Sequence, residues 1–256
     1  TDRQRAMVTD AALDRARGRV PVFAGVIDMT TPRVMEHALS AAKAGCDGGV
    51  ATAPVYTRTH QAEIERHFRV IADQVGVPLY AYDLPVSVHV KLDGDLLLRL
   101  AADGVLAGLK DSSGDDAALR KLLVARDEQL GEGGTFSVLT GAELTVDSAL
   151  LMGADGVVPG LGNVDPAGYT RLYRLCRAGD WAGARTEQQR LVHLMEVVDA
   201  GAPERMGRGS SALGGFKAAL RLLGIIDCGL TAEPQIPLSD AEISVVRAHL
   251  ERAGLL

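Results

Sequence analysis

Val105-Leu106-Ala107-Gly108-Leu109-Lys110 is an apolar run of strand length that ends in a lysine and is followed at once by Asp111-Ser112-Ser113-Gly114. A continuous apolar run of this length is typical of a parallel strand that is buried on both faces. A lysine at the carboxyl end of such a strand points to the edge where α/β barrels carry their active sites. The alternative is a lysine that leaves the strand and extends its ammonium group to solvent. The run therefore predicts a buried strand and a candidate functional lysine.

Similar runs recur along the chain, and a helical pattern follows each of them. Predicted strands begin at residues 20, 48, 77, 105, 136 and 155, and most intervals are 28–31 residues, the length of one strand–helix unit. Beyond residue 180 only helical patterns occur, over about 181–200, 209–223 and 239–253. This alternation predicts a parallel sheet covered by helices. We assign residues 1–180 to six βα units and residues 181–256 to a helical region; an open doubly wound sheet and part of an eight-fold barrel both fit.

The overall composition excludes several classes of protein. The chain of 256 residues carries 27 Lys and Arg against 33 Asp and Glu, for a formal net charge of −6. Nucleic-acid binders and polybasic membrane-surface proteins carry clustered positive charge, so neither partner is expected. The longest apolar runs are too short to cross a bilayer. An odd number of widely separated cysteines fits the reduced cytoplasm better than a disulfide framework; they are Cys46, Cys176 and Cys228.

The predicted helix over residues 60–75 carries three residues of types that bind metals. His60, Glu63 and His67 share one face of that helix. Two widely spaced histidines and one acid are more often a solvated helix face than a metal site. Neither a C-x-x-C nor an H-E-x-x-H motif occurs in the sequence. We therefore predict no bound metal and no cofactor.

A second strand-end residue strengthens the case for the lysine. Tyr82 ends the predicted strand that begins at residue 77, and Lys110 follows it by 28 residues. Two residues one strand–helix unit apart lie at the same end of adjacent strands. A phenol in this position could relay protons to a Schiff base that forms on the lysine amine. The alternative is a tyrosine at the rim of the core with its hydroxyl in water.

Several motifs now resemble those of one known family. The chain is similar to the dihydrodipicolinate synthase / N-acetylneuraminate lyase family, the (β/α)8 aldolases that form a Schiff base with pyruvate. The resemblance runs in the family's order over nearly the whole chain and is carried by Gly18–Gly25, Ala53–Tyr56, Tyr80–Pro85, Gly108–Gly114, Gly153–Gly160, Asn163-Val164, Ala178–Trp181 and Phe216–Leu220.

The resemblance implies a role for individual residues. It makes Lys110 the Schiff-base lysine and Tyr82 the tyrosine that carries protons and steadies the substrate carboxylate. Tyr56 resembles the tyrosine that reaches across a tight dimer into the neighbour's proton relay, although it could be an interface aromatic with no catalytic part. Four further positions are expected to line the substrate pocket; they are Gly141, Glu143, Ser87 and Pro159. For Glu143, an acid favoured by the positive end of a helix dipole is an equally weighted alternative.

The sequence also departs from the family pattern. Members that make dihydrodipicolinate carry an arginine shortly after the tyrosine motif, where it grips the carboxylate of the second substrate. Here that stretch is Val86-Ser87-Val88, and a serine hydroxyl cannot replace a bidentate clamp. Asp83 stands where the family usually has asparagine. The family's Gly-Thr-Thr-Gly-Glu loop, which holds the pyruvate carboxylate, would lie before residue 1.

The fold expected from the resemblance is a (β/α)8 TIM barrel that lacks its first two βα units in this chain, with a C-terminal helical extension. Six strands cannot close with the tilt and stagger of an eight-stranded barrel. The biological chain is therefore expected to carry about 50–60 further residues at its N-terminus, the length of two βα units.

These observations leave three hypotheses for function. The first is a cytoplasmic, homo-oligomeric (dimeric or tetrameric) aldolase or lyase that acts on pyruvate and an aldehyde through a 2-keto-3-deoxy sugar acid or related 4-hydroxy-2-oxo acid. Dihydrodipicolinate synthesis is the alternative within that class. The second hypothesis is a non-catalytic homologue that binds a 2-oxo acid. The third, an open nucleotide-binding sheet, explains neither the strand-end lysine nor the lack of a phosphate loop.

Overall fold

The computed structural model describes residues 1–131 and 135–256. Within these residues the α-helices and strands follow in the order α1 (Asp2–Ala16), β1 (Phe23–Gly25), α2 (Thr31–Ala44), β2 (Gly48–Ala51), α3 (Gln61–Val75), β3 (Leu79–Asp83), α4 (Pro85–Val88), α5 (Gly94–Ala102), β4 (Gly108–Asp111), α6 (Asp116–Leu130), β5 (Ser137–Thr140), α7 (Val146–Leu151), β6 (Gly156–Val157), α8 (Pro166–Arg177), α9 (Trp181–Met195), α10 (Arg208–Leu222) and α11 (Asp240–Arg252). Two short 3₁₀ helices, Leu161–Asn163 and Glu196–Asp199, complete the description.

The chain divides into two compact units. The first comprises residues 1–142 and 152–156, and the second comprises residues 143–151 and 157–256. The predicted boundary at residue 180 stays a prediction.

The sheet has its strands in chain order, from β1 to β6. Pairing from β1 through β5 is parallel throughout. Parallel neighbours need crossover connections, and the helices between the strands supply them. The predicted alternation and the parallel sheet are thus confirmed. The two further βα units expected before residue 1, and the barrel they would complete, stay predictions.

The strand ends differ in detail from the sequence prediction. The prediction began the first strand at residue 20, whereas β1 begins at Phe23. The backbone N–H of Val22 donates to Asp47 Oδ2 at 2.7 Å instead of to a neighbouring strand, so the ladder starts one residue later. The four-residue helix α4 was not predicted. Pro85 occupies its first turn, where a missing N–H is harmless.

The core of the first unit lies between the sheet and its helices. Along β3 burial alternates, because Leu79, Ala81 and Asp83 are buried and the tyrosines between them are partly exposed. The largest fully buried side chains of this unit come from helices α3, α5 and α6 and from the strands or their approaches; they are Ile64, Phe68, Ile71, Leu96, Leu97, Leu98, Leu100, Leu109, Leu123 and Phe136.

The second unit has its own apolar core. Helices α8, α9, α10 and α11 contribute to it, with residues that include Leu172, Leu191, Ala219, Val246 and Leu250. Among the described helices, none combines the length and the apolar character that a bilayer crossing requires.

The three candidate metal ligands on α3 have structural roles: two cap the helix and the third is buried in the core. His60 caps the helix by accepting from the Ala62 N–H, and Glu63 completes a capping box by accepting from the His60 N–H. His67 is buried, so the prediction of a solvated face was wrong for this residue. Within residues 1–131 and 135–256, no group of three or more His, Cys, Asp or Glu is arranged to hold a metal.

His67 connects three elements through its two ring nitrogens. Its Nε2 lies 3.2 Å from the carbonyl oxygen of Thr52, which can only accept, so Nε2 carries the hydrogen. Its Nδ1 then accepts from Thr31 Oγ1 at 2.9 Å. Burial lowers the pKa of His67 from 6.5 to about 4. The neutral ring thus joins the start of α2, the end of β2 and the middle of α3.

Because of His67, we expect the free energy of unfolding to decrease as the pH is lowered. Between pH 6.5 and 4 the unfolded chain binds a proton on this side chain and the folded chain does not, so acid favours unfolding by up to about 3 kcal/mol. His67→Asn should therefore flatten the decline in unfolding free energy over this window, measured by urea titration at pH 7, 5.5 and 4.5. His60→Asn, which keeps a capping acceptor on the same helix, is the matched control. An unchanged slope in His67→Asn would contradict the assignment.

Candidate active site

Two strand-end residues from β3 and β4 lie opposite each other. The register pairs Tyr82 with Lys110, and the next pair along is Asp83 with Asp111. The Nζ of Lys110 lies 4.4 Å from the centroid of the Tyr82 ring, within cation–π range. Both side chains are partly exposed. The structure therefore brings together the predicted lysine and its predicted tyrosine partner.

Gly141, which follows β5, leaves room for this lysine. Its N–H donates to the Asp111 carbonyl at 2.6 Å, which draws the chain after β5 against the end of β4. A Cβ added at Gly141 would overlap Ser112 Oγ and lie 3.0 Å from Lys110 Cε. A side chain at Gly141 would therefore require the Ser112 side chain to rotate away, and this predicted pocket residue is adjacent to Lys110.

A buried ionic cluster occupies the other face of the same strand ends. Asp83 is completely buried and Asp111 is nearly so. Lys91, in the segment between α4 and α5, is paired with Asp83, and its Nζ lies 3.7 Å from Asp111 Oδ2. The Leu92 N–H also donates to Asp83 at 3.2 Å, and the Ser113 N–H donates to Asp111 at 2.7 Å.

Burial dominates the electrostatics of Asp83. Loss of solvation raises the pKa of this carboxyl, and the nearby Lys91 only partly opposes that effect. A buried carboxylate is stable only with a counter-charge or hydrogen-bond donors. Lys91 is the residue that sequence reasoning missed. The aspartate at position 83 was a sequence signal for it, because a carboxylate that ends a buried strand needs a positively charged partner.

Two other predicted site residues belong to the first unit but lie on exposed segments. Tyr56 follows β2 with a positive φ of 78°, a conformation that bulky side chains rarely adopt, and it is 82% exposed. Ser87 lies on α4 and is exposed, beside Val86, which is 80% exposed.

Glu143 and Pro159 lie in the second unit. Glu143 Oε1 accepts from the Leu161 N–H at 2.8 Å and from the Tyr169 hydroxyl at 2.9 Å. Burial raises the pKa of Tyr169 far above its usual range, which keeps this phenol a donor. Pro159 packs against Gly162, where a Cβ would lie 2.7 Å from its ring. Glu143 thus holds the turn after β6, and the pocket roles of both residues stay predictions.

Comparison with known proteins identifies the family. A profile of the Dihydrodipicolinate synthetase family matches residues 1–253. The chain belongs to this family.

Its relatives carry related but not identical descriptions. A 4-hydroxy-tetrahydrodipicolinate synthase of Phenylobacterium zucineum is 30% identical over 256 residues, which is 100% of this chain and 82% of the relative. An uncharacterized DapA-like lyase of Halobacterium salinarum is 31% identical over 100% of this chain and 79% of its own length. Among solved structures, YagE, a prophage protein of this family from E. coli K12 in complex with pyruvate, is 26% identical with a TM-score of 0.88, covering 100% of this chain and 83% of YagE.

Membership of this family settles the class of activity. The protein is a lyase of the class I aldolase type with a TIM-barrel-like α/β fold. The hypotheses of a non-catalytic homologue and of a nucleotide-binding sheet are not supported by these findings.

Replacing Gly141 with alanine should impair the site without unfolding the protein. The added Cβ would force the Ser112 side chain to rotate and would press against Lys110 Cε at 3.0 Å, and a displacement of about 1 Å can lower catalysis roughly 100-fold. We expect the lyase rate with the best substrate to fall at least about ten-fold in Gly141→Ala. Gly209→Ala, where the new Cβ meets nothing within 4 Å, is the matched control. Equal rates in the two variants would show that Gly141 does not restrict the lysine.

Proposed function

We propose that the protein is a Schiff-base aldolase that cleaves or forms a 2-keto-3-deoxy sugar acid or a related 4-hydroxy-2-oxo acid, with pyruvate as the common partner. The observation that carries this proposal is the register pair of Lys110 and Tyr82, with the lysine amine 4.4 Å from the ring centroid. Membership of an aldolase family supplies the reaction class.

In the cleavage direction, the Lys110 amine attacks the C2 carbonyl of the substrate and water leaves, which gives an iminium ion. Loss of the proton from the C4 hydroxyl then breaks the C3–C4 bond, and the bonding electrons pass into the iminium to form an enamine. The aldehyde departs, C3 of the enamine takes up a proton, and hydrolysis returns the free amine and pyruvate. Covalent attachment thus divides one difficult bond cleavage into easier steps.

Tyr82 contributes in two ways to this sequence. The iminium keeps the positive charge that the resting ammonium carries, so the face of the Tyr82 ring can stabilise both states. Its phenol is the proposed proton carrier between the C4 hydroxyl, C3 and solvent.

The choice of substrate follows from Ser87. A synthase that condenses pyruvate with aspartate semialdehyde must hold the second substrate's carboxylate, and a serine offers no charge for that purpose. The relatives described as 4-hydroxy-tetrahydrodipicolinate synthases support dihydrodipicolinate synthesis as the second candidate. At 28–30% identity, their descriptions leave the aldehyde open.

The proposal extends to the assembly and the compartment. An exposed tyrosine held at φ 78° fits a side chain that is presented to a second subunit, so we propose that Tyr56 lies at a homodimer contact within a dimer or tetramer. Three free cysteines, two of them buried, fit the reduced cytoplasm that we propose as the protein's compartment.

Covalent trapping tests the chemistry directly. Incubation with pyruvate and borohydride should reduce the imine and add pyruvate to Lys110, located by peptide mass spectrometry. Lys110→Ala should lose both the adduct and turnover, because the Lys91 amine near the same strand ends is paired with Asp83 and Asp111 instead of facing Tyr82. Lys121→Ala, an exposed lysine on α6, is the matched control and should retain both. An adduct on another lysine, or none in the intact native protein, would overturn the mechanism.

Activity as a dihydrodipicolinate synthase should be poor. Absence of a charge-assisted carboxylate clamp costs about 2–5 kcal/mol, or roughly 30- to several-thousand-fold in rate with aspartate semialdehyde relative to a clamped enzyme. Ser87→Arg should raise this condensation without changing pyruvate trapping, whereas Ser87→Lys, a point charge without a fork, should raise it less. An ordinary synthase rate in the unaltered protein would refute the substrate assignment.

A further inference from the structure

Behind the Tyr82/Lys110 pair lies a cluster that the aldolase mechanism does not use. Successive residues of a strand point to opposite faces, so Asp83 and Asp111 lie on the face away from the lysine amine. Their backbones are nevertheless one residue from Tyr82 and Lys110. The two acids are thus the nearest strand neighbours of the two proposed site residues.

Without Lys91, the neighbouring carboxylates of Asp83 and Asp111 would repel each other. Asp83 and Asp111 are register neighbours, with exposed fractions of 0% and 4%. Like charges on directly opposed sheet positions are destabilising, and burial strengthens their repulsion. The Lys91 ammonium, about one third exposed, reaches in from the α4–α5 segment and pairs with both carboxylates.

The other polar side chains around the cluster already have hydrogen-bond partners. A cleft of about 330 Å³ opens beside Lys91, and Gln61, Asp93 and Asp115 line it with Asp111. Asp93 caps α5 by accepting from the Leu96 N–H, and Asp115 caps α6 by accepting from the Ala118 N–H. Gln61 is held by the Lys91 carbonyl and the Asp93 N–H. Lys91 is thus the cation that these elements direct at the two buried acids.

We propose that Lys91 is a positioning residue of the active site, which holds the ends of β3 and β4 together through Asp83 and Asp111 and sets the charge immediately behind Lys110. This inference rests on the proposed function in that Lys110 is the group acted upon. Asp83 has the same positioning role, because it forms the ion pair through which Lys91 acts.

The proposal predicts effects of opposite sign from the two partners. Lys91→Met leaves negative charge unpaired behind Lys110, which stabilises the ammonium form and slows its reaction with an electrophile. Asp83→Asn removes negative charge and keeps the cation, so the amine reacts faster. Asp83→Asn/Lys91→Met removes both charges and should restore the original rate. A role confined to packing would lower stability in each variant without this change of sign.

Competitive acetylation measures the amine without any substrate. The native protein is treated with a trace of acetic anhydride, and the extent of labelling at Lys110 is divided by that at the exposed Lys121, both read by peptide mass spectrometry. One unit charge nearby in a partly buried site is worth about five-fold in this ratio. We expect Lys91→Met to lower the ratio about five-fold and Asp83→Asn to raise it about five-fold, because each changes the local charge by one unit. Lys91→Arg, the double variant and the exposed control Lys43→Met should stay within about two-fold of wild type.

The outcomes separate this inference from the proposed function. Ratios unchanged by Asp83→Asn and Lys91→Met overturn the assignment of Lys91, even if pyruvate is trapped on Lys110. If the acetylation ratio shifts in opposite directions in the two variants but pyruvate forms no adduct, the positioning role of Lys91 is supported and only the Schiff-base chemistry proposed for Lys110 is refuted. Should Lys91→Met fail to fold, Asp83→Asn decides, since asparagine fits the same volume; a ratio that falls or stays constant in that variant contradicts the proposal.

Discussion

The parallel register between β3 and β4 is the constraint on which the site depends. It places Tyr82 beside Lys110 on one face of the sheet and Asp83 beside Asp111 on the other. Because side chains alternate along a strand, a slip of one residue would put Lys110 opposite an aspartate or an alanine and turn the acids toward the opposite face. The register is held by an apolar face, where Ala81 and Leu109 are completely buried, so the packing of the core also fixes the chemistry.

Close approach of the strands imposes a second requirement, for glycine. A side chain at Gly108 would overlap the Tyr80 ring that lies across it, and one at Gly141 would overlap Ser112 next to Lys110. The aromatic and lysine side chains on this face therefore use space that their neighbours leave empty. Glycine is favoured at these two positions by the close approach of neighbouring side chains and not by the backbone conformation, since neither has a positive φ.

Spacing and apolar patterning predicted much of this arrangement. The helices α3, α10 and α11 follow the predicted bounds closely, and the strand-end positions of Tyr82 and Lys110 follow from an interval of one βα unit. Lys91 could not be predicted in the same way, because its local sequence has no period and a loop lysine is ordinarily solvated. Its role depends on the complete burial of Asp83 and on the path of the α4–α5 segment, which the structure shows. The hydrogen bonds of Glu143 likewise depend on residues 18 and 26 positions away.

Asp83 and Lys91 are best understood as one ion pair whose members depend on each other. The family resemblance leads one to expect an asparagine at position 83, and a neutral amide there would need no cation. An aspartate in the same buried place is stable only because Lys91 pairs with it, and Lys91 in turn would be an unpaired cation beside a buried strand without the acids. A buried ion pair of this kind contributes little net stability compared with neutral side chains of similar volume. Its position one residue from the lysine that carries the proposed chemistry is therefore better explained by the charge it sets there than by the stability of the fold.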